Sequence, residues 1–197
     1  MLGAAPVSPT SHSAPSQGLA AMDFAALVEE LGPRLLRFLR RMVGDEDLAE
    51  DLLQEAFVAA YQHRAEARPK SARAWLFAIA ANRARNALRD GRWSVTDGER
   101  VGARLERAEG TDATPEGEAL RHELRGQIMA AVAHLPADSR EAVLLRDMEN
   151  LPYPEVARAM GVTEGAARVR VHRARERLRE ALRPYLTGQP VRQERTR

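Results

Sequence analysis

The sequence predicts an all-α protein of two small helical domains joined by a flexible linker. Three observations carry this. Apolar residues recur at three- and four-residue spacing through residues 23–90 and again through 115–183, the period of a helix with one buried face. Neither block alternates apolar and polar residues with period two, the mark of a half-buried strand. Between the blocks, residues 91–114 lose that spacing while Gly, Asp, Thr and Glu become frequent, which reads as a linker. A chain of 197 residues has room for one or two small domains.

The first block, residues 22–90, divides into three helical stretches. Phe24, Leu27, Val28 and Leu31 lead past Gly32 and Pro33 into Leu35, Leu36, Leu39 and Val43, and Gly44 ends the stretch. The second runs from Asp45, a natural helix cap, to Arg64, with Leu48, Leu52, Leu53, Ala56, Phe57, Ala60 and Tyr61 as its apolar stripe. The third begins near Ser71 and carries Trp75, Leu76, Ile79 and Leu88.

The second block opens on Thr114-Pro115, a cap followed by a proline at the first helical position. Helices are expected over 115–133, 138–149, 154–160 and 164–183. Residues 1–21 carry no charge and are rich in Ala, Pro, Ser and Gly, so they read as a disordered extension, and Met22 is a second candidate for the start of translation. Residues 184–197 read as a frayed tail.

Composition narrows the function. Net charge is only +2 while the sequence pI is about 9.5, and Lys70 is the sole lysine among 30 cationic side chains. Arginine suits bidentate contact with phosphate or guanine. There is no cysteine, which removes disulfides, thiolate catalysis and cysteine zinc sites. The five histidines (12, 63, 122, 134 and 172) have no paired spacing, so no metal site and no cofactor are expected. No nucleophile stands beside a base and no Gly-rich phosphate loop is present, so there are no catalytic residues to name and the chain is not read as an enzyme. No apolar run approaches the roughly 20 residues of a membrane span, and no membrane insertion is expected.

The most informative stretch is residues 151–182, LPYPEVARAMGVTEGAARVRVHRARERLREAL. A short helix ends at Gly161, and a longer one starts after Thr163, whose hydroxyl suits a cap. This is the layout of a helix-turn-helix, whose second helix enters a DNA major groove. From residue 166 to 183 seven arginines stand against Glu176 and Glu180, while Ala167, Val171, Ala174, Leu178 and Leu182 form one apolar stripe.

Both blocks resemble a known family. AEDLLQEAFVAAY (residues 49–61) with WLFAIAANRARNALR (residues 75–89) is similar to region 2 of a bacterial RNA polymerase sigma factor of the sigma-70 family. LPADSREAVLLRDMENLPYPEVARAMGVTEGAARVRVHRARERL (residues 135–178) is similar to region 4. The size and the lack of a region 3 resemble the extracytoplasmic function (ECF) group. The resemblance implies a promoter-directing transcription factor of the cytoplasm. Its expected partners are core RNA polymerase (the β′ coiled coil and the β flap), promoter DNA and an anti-sigma factor.

Carried onto this sequence, the resemblance implies that Asp51, Leu52, Gln54 and Glu55 dock on core polymerase. It assigns Lys70, Asn82, Arg83, Arg85, Asn86 and Arg89 to the −10 element, and Thr163, Arg168, Arg170, His172, Arg173 and Arg175 to the −35 element. The loop from Arg64 to Ser71 would hold a flipped base, and here it has no aromatic residue. The family's Gly-Thr-Val-Lys-Ser-Arg stands as Gly165-Ala166-Ala167-Arg168-Val169-Arg170, which keeps the cations and loses two hydroxyls. The competing reading is a stand-alone helix-turn-helix regulator, which calls for a ligand or phosphoacceptor domain in place of residues 23–90.

Overall fold

A computed structural model of the chain describes residues 24–64, 72–91 and 115–186. All its regular elements among these residues are helical. The expected extension (1–21), residues 65–71 of the base-holding loop with Lys70 among them, and the tail beyond residue 186 lie outside them, as does all but the first residue of the linker.

The first three helices form one unit. Helix α1 spans Phe24–Val43 and buries Leu27, Leu31, Leu35, Phe38, Leu39 and Met42 along one face. It continues unbroken past Pro33, a residue that costs a helix one hydrogen bond. The burial of that stripe outweighs the loss. Gly44 closes the helix at φ +75°, and its N–H donates to the Arg40 carbonyl at 2.8 Å; only glycine adopts that φ freely. Asp45 then caps α2 (Glu46–Gln62), accepting from the Leu48 N–H at 2.8 Å. Helix α3 (Ala72–Arg89) packs on both through Leu76, Phe77, Ala80, Ala81 and Ala84, with Phe77 edge-on to Phe38 at 5.4 Å. Its alanines bring the backbones close. Trp75 is half-buried and packed against this core, as its spacing to Ile79 suggests.

The second unit begins with α4 (Pro115–Ala133) and α5 (Ala137–Val143). Here the expected helix 138–149 is divided, because α5 widens into a π-helical segment, Leu144–Met148. Helices α6 (Tyr153–Met160) and α7 (Glu164–Leu186) make the helix-turn-helix. Gly161 sits at φ +65° and ψ +36° between them, and the N–H of Val162 returns to the Ala157 carbonyl at 2.9 Å. These are the bonds of a left-handed helix stop. Thr163 caps α7, its Oγ1 accepting from the Ala166 N–H at 3.2 Å. The structure extends α7 past the expected end at Arg183 and through Pro184.

The two units do not stand apart as separate bodies. One continuous apolar cluster includes Phe38, Met42, Leu76 and Phe77 from the first and Leu144, Leu145, Leu151 and Val156 from the second. Helix α6 lies against α3. Arg140, 6 % exposed, crosses the boundary: Nη1 donates to the Met42 carbonyl of α1 at 2.5 Å. Its Nη2 donates to the carbonyls of Ala133 and Leu135. Burial pulls its pKa below the usual arginine value. Nothing in the helical periodicity announces this contact.

Candidate nucleic-acid interface

On α2 the three- and four-residue spacing brings Asp51, Gln54 and Glu55 to one side, as expected. They line an open groove of about 430 Å³ together with Val58, Ala59, Gln62 and Arg83. Val58 is 57 % exposed, a large apolar side chain in a lining that also holds two acids. Leu52 does not join them. It is 1 % exposed and belongs to the core between the helices, so its place in the expected docking set is corrected: it supports the groove from behind.

The candidates on α3 divide three ways. Asn82 and Arg89 are exposed and Asn86 is half-buried, one and two turns apart on one face. Arg83 sits in the groove with the docking residues, 4.0 Å from Glu55. Arg85 is covered by the second unit. Its Nη1 donates to Glu141 Oε1, and both terminal nitrogens reach the Ala159 carbonyl at 3.3 Å. In this arrangement the phosphate-seeking guanidinium already holds a carboxylate.

On α7 the buried stripe is Ala167, Val171 and Ala174, which turns residues 168, 169, 172 and 173 outward. Thr163 is exposed at the helix start, where it serves as the cap. Arg168 is held in place from two sides. Glu164 accepts from its Nε at 3.2 Å and its Nη2 at 2.5 Å, and its guanidinium lies 4.3 Å from the centre of the Tyr153 ring. Arg146 approaches the same ring at 4.9 Å.

Arg170 pairs with Asp138 at 3.1 Å. Arg175 donates twice to Asp147, at 2.9 and 2.5 Å, hydrogen bonds that raise its pKa further. Three of the six expected −35 residues, Arg168, Arg170 and Arg175, are therefore paired with acids of their own domain. Arg173 and His172 are exposed.

Reading by residue type missed the partners. Tyr153, Glu164, Asp138 and Asp147 orient or occupy arginines, and Glu141 covers Arg85. Only Glu164 had a local signal, four residues ahead of Arg168 on one helix.

Among the described residues no group of histidines and acids is placed to hold a metal, and no helix is long and apolar enough to cross a membrane.

Two family models match the chain, Sigma-70 region 2 over residues 27–94 and Sigma-70 region 4 over residues 125–178. The RNA polymerase sigma factor CarQ of Myxococcus xanthus is 38 % identical over 160 residues, covering 81 % of this chain and 88 % of that protein. The ECF RNA polymerase sigma-E factor of Haemophilus influenzae is 33 % identical over 173 residues, covering 83 % and 89 %. Among solved structures, the sigma factor RpoE in complex with the anti-sigma factor NepR from Bartonella quintana matches with a TM-score of 0.61 and 30 % identity. That match covers 82 % of this chain and 97 % of the other. Because these relatives match across both units, in the same order, the stand-alone regulator is not favoured. The chain belongs to the sigma-70 family, as a non-enzymatic RNA polymerase sigma factor of the extracytoplasmic function group that directs transcription initiation.

Proposed function

We propose a division of labour between the two units that follows the family's. Residues 22–90 dock on core polymerase through the groove of Asp51, Gln54 and Glu55 and bind the opened −10 strand through α3. Residues 115–183 read the −35 element through α7, and residues 91–114 tether the two. A tether keeps the second reader at high effective concentration once the first has bound. The β′ coiled coil and the β flap are the proposed polymerase contacts, and the place of action is the cytoplasm. Since RpoE of Bartonella quintana was solved with an anti-sigma factor, a regulator of that kind is a proposed partner here.

The observation that carries this reading is the groove: two carboxylates, an amide and an exposed valine on one helix face. A charged, partly apolar concavity suits a helical protein partner better than it suits DNA, whose phosphates it would repel. Substituting Asp51, Gln54 and Glu55 together by alanine should weaken core binding at least tenfold, which corresponds to about 1.4 kcal/mol. Helical content by circular dichroism should stay unchanged. Wild-type affinity for core polymerase in that variant would remove the docking assignment.

The α7 surface makes a second expectation, now sharper than the sequence allowed. Arg173 is outward, Arg168 is oriented by Glu164 one turn earlier on the same helix, and Arg175 is engaged with Asp147 outside it. Arg168→Ala should cost about 1–3 kcal/mol on the preferred −35 sequence and relax preference at one base pair. Arg173→Ala should weaken holoenzyme binding at all promoters alike and lower the salt slope by about one unit. Titration of mutant holoenzymes on matched and single-mismatch fragments at several salt concentrations separates the two. Unchanged affinity and slope in both variants would mean that α7 lies outside the groove.

A further inference from the structure

Val169 is 48 % exposed, a large apolar side chain on the outward face of α7. The helix buries Ala167, Val171 and Ala174 and turns about 100° per residue. Val169, two residues after Ala167 and two before Val171, therefore stands opposite the buried stripe, on the mid-line of the outward face. Gly165, one turn earlier on that line, has open space beside it, and a Cβ there would meet no atom within 4 Å. Arg168 and His172 lie to one side of the valine and Arg173 to the other, all exposed. The crest of the helix is thus short and apolar, with cationic residues on its flanks.

Cationic flanks suit a polyanion. A lone valine is far smaller than the apolar patches that mark protein partners, which cover on the order of a few hundred Å² or more. On the major-groove edges of DNA the apolar group is the C5 methyl of thymine; the other bases present donors and acceptors there. We propose that Val169 reads one thymine of the −35 element through that methyl group. The serine of the family pattern at this position has a hydroxyl that pairs with either kind of polar group. Valine pairs with none, and facing any other base it would leave a donor or acceptor unsatisfied. The lost hydroxyl is therefore an exchange of preference, from a tolerant contact to one that selects thymine. Burial of one methyl group corresponds to about fourfold in affinity. This inference rests on the placement of α7 in the −35 groove, and its test separates the two.

Holoenzyme formed with the wild-type chain selects its preferred sequence from a duplex library randomised over both promoter elements. The selected duplex is rebuilt with deoxyuridine in place of each −35 thymidine in turn. Each replacement removes one methyl group and keeps every hydrogen-bonding group of the base pair. Wild-type holoenzyme should lose about fourfold in affinity at one position. Val169→Ser holoenzyme should bind the original duplex about fourfold more weakly and no longer distinguish thymine from uracil at that position. Its salt slope should keep the wild-type value, because no charge has changed.

A selected −35 element without thymine overturns the proposal, and so does one whose uracil versions all bind as well as the original. A Val169→Ser holoenzyme that still loses affinity with uracil also overturns it, since another side chain then makes the contact. Arg173→Ala, measured on the same duplexes, shows which claim has failed. A lowered salt slope beside indifference to the methyl group overturns the valine contact alone. Unchanged slope and affinity in that variant, with the same indifference, remove α7 from the groove and the valine contact with it.

Discussion

Arg140→Ala should be the most damaging single substitution in the second domain, lowering its stability by about 3 kcal/mol or more, roughly one for each carbonyl left unsatisfied. The side chain reaches three main-chain carbonyls, of Met42, Ala133 and Leu135. They lie at the ends of α1 and α4 and just after α4, where helical carbonyls lack partners within their own helix. Each acceptor left unsatisfied in the interior costs about 1–3 kcal/mol. Chemical denaturation followed by circular dichroism measures the loss. Arg140→Met, which keeps most of the volume and none of the donors, should lose nearly as much. A methionine variant as stable as the wild type would show that packing, and not the carbonyl contacts, holds this corner.

Acidity should tune folding stability through Glu141. Burial is the main cause that pushes its carboxyl from the ordinary 4.5 up to about 7, with Asp138 acting the same way. Arg85 and Arg170 pull in the other direction and lose. Its second oxygen, Oε2, is buried without a partner, which is the physical sense of that balance. The folded value is raised, so the folded chain binds a proton that the unfolded chain has released between pH 4.5 and 7.

The stability that Glu141 contributes is therefore fully present below pH 4.5, is lost as pH rises to 7, and above that the fold carries the full cost of a buried charge. That cost is on the order of 3 kcal/mol. The midpoint of chemical denaturation should fall between about pH 4.5 and about pH 7 in the wild type. In Glu141→Gln, which resembles the protonated form, it should stay high across the range. A wild-type midpoint flat over that window would mean that Glu141 is solvated whenever it is charged.

Helix positions and the turn of the helix-turn-helix were legible because their signals are local: Gly161 at a left-handed stop, Asp45 and Thr163 as caps, apolar stripes of one period. The grouping of Asp51, Gln54 and Glu55 followed from helical spacing alone. The features that the sequence withheld are tertiary. Arg140, Glu141 and Glu149 look like solvated charges in an amphipathic helix, and only the packing of one unit on the other buries them. Leu52 was ambiguous between core and surface because it lies in the stripe beside the acids. The tie between Arg175 and Asp147 spans 28 positions, beyond any periodic rule.

The π-helical segment Leu144–Met148 has a geometric consequence for how this fold tolerates change. Its wider winding, with the N–H of Glu149 reaching the Leu144 carbonyl five residues back, rotates the downstream residues relative to an ordinary helix. That one phase offset aims Asp147 at α7 and Glu149 at α1, two neighbours on different sides of the segment. A one-residue deletion here would turn the later side chains by about 100°, the angular step of an α-helix at 3.6 residues per turn. Both contacts would then be lost together. The same deletion elsewhere in a loop shortens a path; in this segment it changes a bearing.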